Sequence, residues 1–422
     1  MPNNNLSSNT TTPLAKGFLK AVESTRVVSK TVNTQLLSGK FNPSSGSTAD
    51  FKRPHMYNSI ETAGGDISSS TKSDIISGKA TGTVQNMITV ATEWSVLEQA
   101  LELDELDKIL MPMARTAITT LETNLFTYMR NNSNLSHGTV GTVADAWSDV
   151  QQTGALMQSI GVPMDSPWNY VMNPFTAGGL ADAQNGLTAA DGLVRTAWER
   201  AQISRDFGGM RALTSNALTS YTTGAGAARA GTLSGNPDVT YVTAKDTMTQ
   251  TLAVTGMDAV LPIKAGDVIE IAGRNRLNMD TREVAYDETG AAIPWRATVT
   301  ADVTLSGGAG NIVVSGAAIF EANGQYNNVD SAPISGDVIT VLGSASTGYQ
   351  PNLFFHEQFV GLGTVKLPKL FSTDTVATTS DGFSIRVSRY ADGDANTQKV
   401  RFDLLPAFAV FNPFYGGTGW GS

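Results

Sequence analysis

Two segments in the second half of the chain nearly repeat each other: "AGDVIEIAG" at Ala265–Gly273 and "SGDVITVLG" at Ser335–Gly343. Each sets a Gly-Asp turn ahead of a run whose Val and Ile residues fall on alternate positions. Alternation with period two marks a strand with one buried face, and Gly-Asp is suited to the tight turn that feeds it. The surrounding stretches, such as "WRATVTADVTLSG" and "NIVVSGAAIF", have the same Gly-, Thr- and Val-rich texture. Residues 221–347 are therefore expected to form an all-β barrel or sandwich of short strands.

The flanks read differently. "MARTAITTLETNLFTYMRNN" (Met113–Asn132) carries Ala114, Ala117, Ile118, Leu121, Leu125 and Met129 at helical spacing, which predicts an amphipathic helix. Pro112 is expected to break the acidic helical stretch before it, Glu98–Asp107, because proline lacks the N–H that a helix needs. "TVQNMITVATEW" (Thr83–Trp94) reads as a strand. Helices are expected at about 144–160 and 175–202, with a short strand, "WNYVMNP", between them. Non-helical mixed structure resumes at "GYQPNLFF". The glycine-rich "GAGAARAG" (Gly224–Gly231) reads as a flexible junction. The simplest organisation is a β-domain inserted into an α/β domain.

At the N-terminus, Met1–Pro13 is polar and expected to be disordered. From Leu14 to Leu37 the apolar residues Phe18, Leu19, Val22, Val27, Val28, Val32, Leu36 and Leu37 recur at helical spacing, which suggests one or two short helices. Between Lys16 and Lys30 the charges are Lys16, Lys20, Arg26 and Lys30 against Glu23 alone. This basic arm stands apart in a chain whose formal net charge is -9. Phe41–Gly82 follows, rich in Ser, Thr and Gly, without a sustained period. So long a loop in a compact domain is usually functional or a linker.

Chemistry is sparse. With no cysteine, disulfides, thiolate metal sites and Cys nucleophiles are excluded. The acidic balance argues against tight binding of nucleic acid across the whole surface. No apolar run approaches the ~20 residues of a membrane span, and no signal-peptide core is visible, so the chain reads as cytosolic when made. Asp392-Gly-Asp-Ala-Asn396 opens like a calcium loop. However, Thr397 stands where glycine is needed, and Asp403 stands where a bidentate Glu is needed. The flanks alternate (Phe383, Ile385, Val387; Val400, Phe402, Leu404), which predicts a β-hairpin with a polar tip. "HEQFV" (His356–Val360) is half of a zinc-protease motif, with Val360 in place of the second ligand. No nucleophile, base and oxyanion site assemble in the sequence, so neither an enzyme nor a cofactor is expected. Two other classes make different demands on the sequence. A secreted adhesin or carbohydrate-binding module predicts a secretion signal, and a metal-dependent hydrolase predicts more convergent ligands than three histidines and no cysteine readily supply.

Several long runs resemble the major coat proteins of short-tailed phages of the Salmonella phage P22 type, in particular the Shigella-phage branch. They include "FKRPH" (Phe51–His55), "SGKATG" (Ser77–Gly82), "LADAQNGL" (Leu180–Leu187), "LVRTAWE" (Leu193–Glu199), "FGGMRAL" (Phe207–Leu213), "KAGD" (Lys264–Asp267), "PNLFF" (Pro351–Phe355), "GFSIRV" (Gly382–Val387) and "YADGDANTQKVRFDLLPA" (Tyr390–Ala407). The resemblance implies an α+β, HK-97-like phage capsid fold with an inserted all-β barrel domain. Its parts would be an N-terminal arm (1–40), an E-loop (41–82), a peripheral domain (83–146) with spine helix 113–132, an axial domain (147–220), the inserted domain (221–347) and a return segment (348–422). It implies a shell of pentamers and hexamers around double-stranded DNA, built as a procapsid with scaffolding and portal proteins in the host bacterial cytoplasm. The procapsid then expands. Phe51, Lys52, Arg53 and Pro54 in the E-loop would anchor on a neighbouring subunit, and Lys16, Phe18, Lys20 and Val22 in the arm would meet scaffolding protein. The stretch around Tyr241–Gln250 departs from the Salmonella coat protein, being shorter where that protein has an acidic loop.

Overall fold

The computed structural model describes residues 26–37, 46–96, 106–185, 206–371, 374–378 and 382–422. The expectations for Met1–Pro13, for Lys16, Phe18, Lys20 and Val22, for most of the acidic stretch 98–107 and for 186–205 lie outside these residues. The chain divides into two compact units. One comprises Met1–Ala49, Gly82–Phe126 and Val360–Ala409; the other comprises Asp50–Thr81, Thr127–Phe359 and Val410–Ser422.

In the first unit, a four-stranded sheet runs in the order Thr375–Thr378, Ser384–Asp392, Thr397–Leu404, Ile88–Ser95. Its pairs are antiparallel, with Val387 opposite Phe402 and Phe402 opposite Val90. Ile385, Val387, Val400, Phe402 and Leu404 are all buried, as their alternation requires. The strand expected over Thr83–Trp94 is two strands, Lys79–Val84 and Ile88–Ser95, with a break at 85–87.

Helix α1 (Leu106–Asn132) carries the chain from the first unit into the second. Its buried stripe includes Ala114, Ala117, Ile118, Leu121 and Leu125. Pro112 lies inside the helix rather than ahead of it. It is exposed, and its missing N–H leaves one backbone hydrogen bond of the helix unmade. Glu122 is 3% exposed on this stripe. It accepts hydrogen bonds from the N–H groups of Val28 (2.8 Å) and Ser29 (3.1 Å) and from the Ser29 hydroxyl. Where helices were expected, segment 26–37 makes two 3-10 turns, Val28–Lys30 and Gln35–Leu37. Its N–H groups are drawn onto a carboxylate, and Val28, Val32 and Leu36 are buried. Arg26 lies over the Phe383 ring at 4.8 Å.

In the second unit, a mixed six-stranded sheet has the order Leu135–His137, Gly416–Gly419, Asn352–Phe355, Asn169–Met172, Met210–Thr214, Asp206–Phe207. Helices α2 (Trp147–Ser159) and α3 (Pro174–Asn185) accompany it. Asn169–Met172 and Asn352–Phe355 are buried at every position, the pattern of strands covered on both faces.

The same unit holds a closed barrel of six strands: Thr249–Thr255, Gly310–Ser315, Pro294–Val299, Val268–Asn275, Val338–Val341 and Ala230–Leu233. Trp295, Leu252, Val254, Ile269, Ile271, Val299, Ile312, Val314 and Ile339 fill it. The two near-repeats become adjacent antiparallel strands, with Ile269 opposite Val341 and Ile271 opposite Ile339. The chain enters and leaves through a two-stranded ribbon in which Tyr221 pairs with Tyr349. "GAGAARAG" is not a loose linker. A Cβ on Gly224 would stand 1.6 Å from the Pro262 carbonyl oxygen, so glycine is required by close backbone approach. Arg229 is 7% exposed.

Candidate functional site

The candidate site is the long excursion 53–78 and its root. Along the strand Thr48–Lys52 and just beyond it, successive side chains point to opposite sides. Phe51 is half-buried, edge-on to Phe411 with ring centroids 5.1 Å apart. Lys52 and Pro54 are exposed. Arg53 turns inward and is 7% exposed. Its Nε donates to the carbonyls of Lys79 (3.1 Å) and Lys245 (3.0 Å), and its Nη1 donates to the Phe411 carbonyl. Burial lowers its pKa to about 10. The expectation that Phe51, Lys52, Arg53 and Pro54 face a neighbour together is therefore corrected at Arg53. Adjacent residues in extended chain alternate, and Arg53 is committed to its own subunit.

Beyond the root the excursion has no regular secondary structure from 53 to 78. Barrel-side residues hold it at intervals. Gln325 Nε2 donates to the Asp74 carbonyl (2.6 Å), the Tyr326 hydroxyl to the Ile76 carbonyl (3.3 Å), and Asn58 Nδ2 to the Asn323 carbonyl (2.8 Å). Tyr326 stacks on Tyr241 with centroids 3.6 Å apart and planes 5° from parallel. Gly78 passes so close that an added Cβ would meet the Lys245 carbonyl at 2.7 Å and the Tyr241 hydroxyl at 2.9 Å. Sequence reasoning missed Tyr241, Gln325 and Tyr326. They lie far along the chain in unremarkable polar stretches, and no local pattern pointed to them. The span between root and return leaves Tyr57 58%, Ile67 41% and Ile75 75% exposed.

The stretch weighed as a calcium loop is the tip of the hairpin formed by Ser384–Asp392 and Thr397–Leu404. Asp392 Oδ1 accepts from the N–H groups of Asp394 and Ala395, and Asn396 takes a positive φ of 50°. Asp403, at the place of a bidentate ligand, is fully buried and already occupied. Arg386 Nη2 donates to it at 2.6 Å, Arg401 Nε at 2.7 Å and the Thr89 hydroxyl at 2.7 Å. Burial pushes the Asp403 carboxyl up, but these donors more than offset that and hold it below the usual carboxylate value.

The half-motif residue His356 lies in a Ser-His-Asp group without the wiring of a catalytic triad. Ser166 Oγ and Asp165 Oδ1 both approach its Nε2 at 2.8 Å. Its Nδ1 accepts the Gln358 N–H at 3.1 Å, so the proton of the neutral ring sits on Nε2. That nitrogen donates toward Asp165 and is not free to take a proton from serine. Among the described residues, no three His, Asp or Glu side chains converge to hold a metal ion. No described helix is long and apolar enough to cross a membrane.

A long anchored loop with exposed apolar side chains suits a protein whose work is contact. A family model described as P22 coat protein, gene protein 5, matches residues 1–421. The chain belongs to the P22 coat protein family. A major capsid protein of Acyrthosiphon pisum secondary endosymbiont phage 1 is 45% identical over 427 residues, covering 99% of each chain. Similar solved structures include that of Mycobacterium phage Che8, with a TM-score of 0.47 at 11% identity over 93% of this chain and 90% of that one. Another is the capsid structure of cyanophage P-SCSP1u, with a TM-score of 0.45 at 11% identity over 93% and 86%. As a member of this family of structural proteins, the chain is a phage major capsid protein that associates with copies of itself.

Proposed function

We propose that the chain builds an icosahedral shell of pentamers and hexamers around phage double-stranded DNA, in the HK-97-like arrangement expected from the sequence. The excursion 53–78 acts as the overlapping E-loop. The observation that carries this reading is a loop fixed at its root while its span presents Tyr57, Ile67 and Ile75 to solvent. Exposed apolar side chains on an extended arm gain most by burial against a neighbour, and an arm buries more than a compact face of the same length. Lys52, exposed beside the root, is placed for a charged contact with that neighbour.

Assembly proceeds through a procapsid with scaffolding and portal proteins in the host cytoplasm, followed by expansion. In this scheme the arm residues Lys16, Phe18, Lys20 and Val22 meet scaffolding. The net charge of -9 suits a container that must not grip its DNA.

The test is Ile75→Asp together with Tyr57→Ser. Circular dichroism of the unassembled subunit should stay unchanged, while the yield of shells in electron micrographs falls at least about tenfold, because each shell repeats the lost contact many times. A wild-type yield of regular shells would remove the loop from the interface. Lys16→Glu with Lys20→Glu should weaken scaffolding binding, and wild-type affinity should fall with salt. An affinity indifferent to both would reject that role for the arm.

A further inference from the structure

The root of the loop carries an unbalanced charge. A cavity of about 40 Å³ lies within the second unit, lined by Arg53, Pro54 and Met56 from the loop and by Arg282, Tyr241 and Tyr326 among others. Two arginines are among its lining residues. Arg53 is almost fully buried and bonded only to the carbonyls of Lys79, Lys245 and Phe411. Arg282 donates through Nη1 to the Asn327 carbonyl at 3.0 Å, and through Nη2 to the Gln325 carbonyl and to Met56 Sδ at 3.3 Å. Its Nε is buried without a partner among the described residues. Neither arginine forms an ion pair with any described residue. Asp246 and Asp280 exert a long-range pull on Arg53 and Arg282 respectively, but Asp246 already binds Lys245 at 2.7 Å.

Carbonyl oxygens satisfy N–H groups but carry no full charge. Arg53 is almost fully buried and Arg282 half-buried, and a cation drawn out of water is costly unless an anion joins it. Burial lowers the pKa of both arginines, and the pull of Asp246 and Asp280 does not offset it. A water molecule needs roughly 10–15 Å³ of such space, so this cavity of about 40 Å³ has room for one small ion of chloride size with a water molecule beside it.

We propose that Arg53 and Arg282 form a binding site for one small monovalent anion, with chloride as the fitting species. The anion bridges the root of the loop to Arg282, in the segment 276–293 that joins two barrel strands. It takes the unused Arg282 Nε–H and balances the Arg53 charge, so its occupancy sets how firmly the base of the loop is held. The site does not depend on what the tip of the loop contacts.

The test compares full-length protein in sodium chloride and in sodium gluconate at matched ionic strength. The melting temperature should be higher in chloride by at least about 1 °C and should saturate with concentration, as for one bound ligand. Amide exchange across residues 53–78 should slow in parallel. Arg282→Gln should abolish the difference between the salts. Equal melting in both salts at every concentration would overturn the proposal, as would a chloride effect retained in full by both Arg282→Gln and Arg53→Gln. If either variant fails to fold, chlorine NMR of the wild type decides. Line broadening displaced by bromide supports the site; a free-ion linewidth rejects it.

Discussion

The turn at Gly266-Asp267 and the turn at Gly336-Asp337 are built alike and differ in what surrounds them. Both glycines take positive φ, 100° and 93°. In both turns an aspartate Oδ2 accepts the N–H three residues before it, from Lys264 or Ile334, each at 2.9 Å. In both, the aspartate N–H returns to that same residue's carbonyl. The strands that follow lie side by side in the barrel. Asp337 meets Arg274 through two bonds of 2.8 and 2.7 Å, and both side chains are mostly buried. Asp267 is fully buried, stands 3.5 Å from Arg229, and has an Oδ1 with no partner among the described residues. Burial raises its pKa, and the Lys264 N–H and Arg229 do not fully offset that. The same local sequence fixes the same turn, while the burial and the partner of its aspartate are settled by groups from elsewhere.

The largest test of this contrast is Arg274→Ala. It strips the two-bond partner from Asp337 in a mostly buried setting, and should cost about 2 kcal/mol in chemical denaturation of unassembled subunits. A loss below about 0.5 kcal/mol would show that the ion pair is a surface ornament, on a par with other exposed pairs.

Replacing each glycine by alanine comes next. Both variants carry the strain of a left-handed residue, about 1 kcal/mol. At Gly266 the new Cβ would also stand 2.8 Å from Arg130 Nε, whereas nothing lies within 4 Å at Gly336. Arg130 sits over the Tyr221 ring at 4.9 Å, so displacing it disturbs the entry ribbon as well. Gly266→Ala should therefore cost about 2 kcal/mol and Gly336→Ala about half that. Equal losses would mean that Arg130 yields freely.

The smallest effect is expected at Asp267→Asn, under about 1 kcal/mol at neutral pH, because asparagine keeps the acceptor for Lys264 and removes a poorly compensated charge. Its pH dependence is the sharper measurement. The folded carboxyl has a raised pKa, so its ionisation penalises the fold above the unfolded value of about 4, and the penalty is absent below it. The stability of the variant relative to wild type should fall as pH drops from 7 to 4. Asp403 should behave oppositely. Its lowered folded pKa gives stability above the unfolded value that is lost as pH falls through the folded one, so the wild-type advantage over Asp403→Asn should shrink in acid. Identical pH profiles for the two variants would refute the assignment of opposite shifts.

Local pattern served best where a residue's fate depends on its immediate neighbours. Period-two alternation placed Ile385, Val387, Val400 and Phe402 in a hairpin, and helical spacing placed Ala114 through Leu125 on one buried stripe. It failed where a distant partner intervened. Segment 26–37 has helical spacing, yet Glu122 captures its N–H groups and it forms 3-10 turns. Pro112 reads as a breaker, yet the helix runs through it. Arg53 reads as an outward charge, yet the carbonyls of Lys245 and Phe411, remote in sequence, draw it in.

The sequence by itself determined the family, the strand texture of the barrel, the Gly-Asp turns and the absence of thiol chemistry. These follow from motifs and from backbone preferences that act over a few residues. Only the tertiary structure decided that the two near-repeats pair, that Asp267 is buried while Asp337 is bridged, that Asp403 belongs to two arginines, and that Arg53 and Arg282 share a cavity. Desolvation and pairing depend on which residues meet across the fold, and separation along the chain carries almost no information about that.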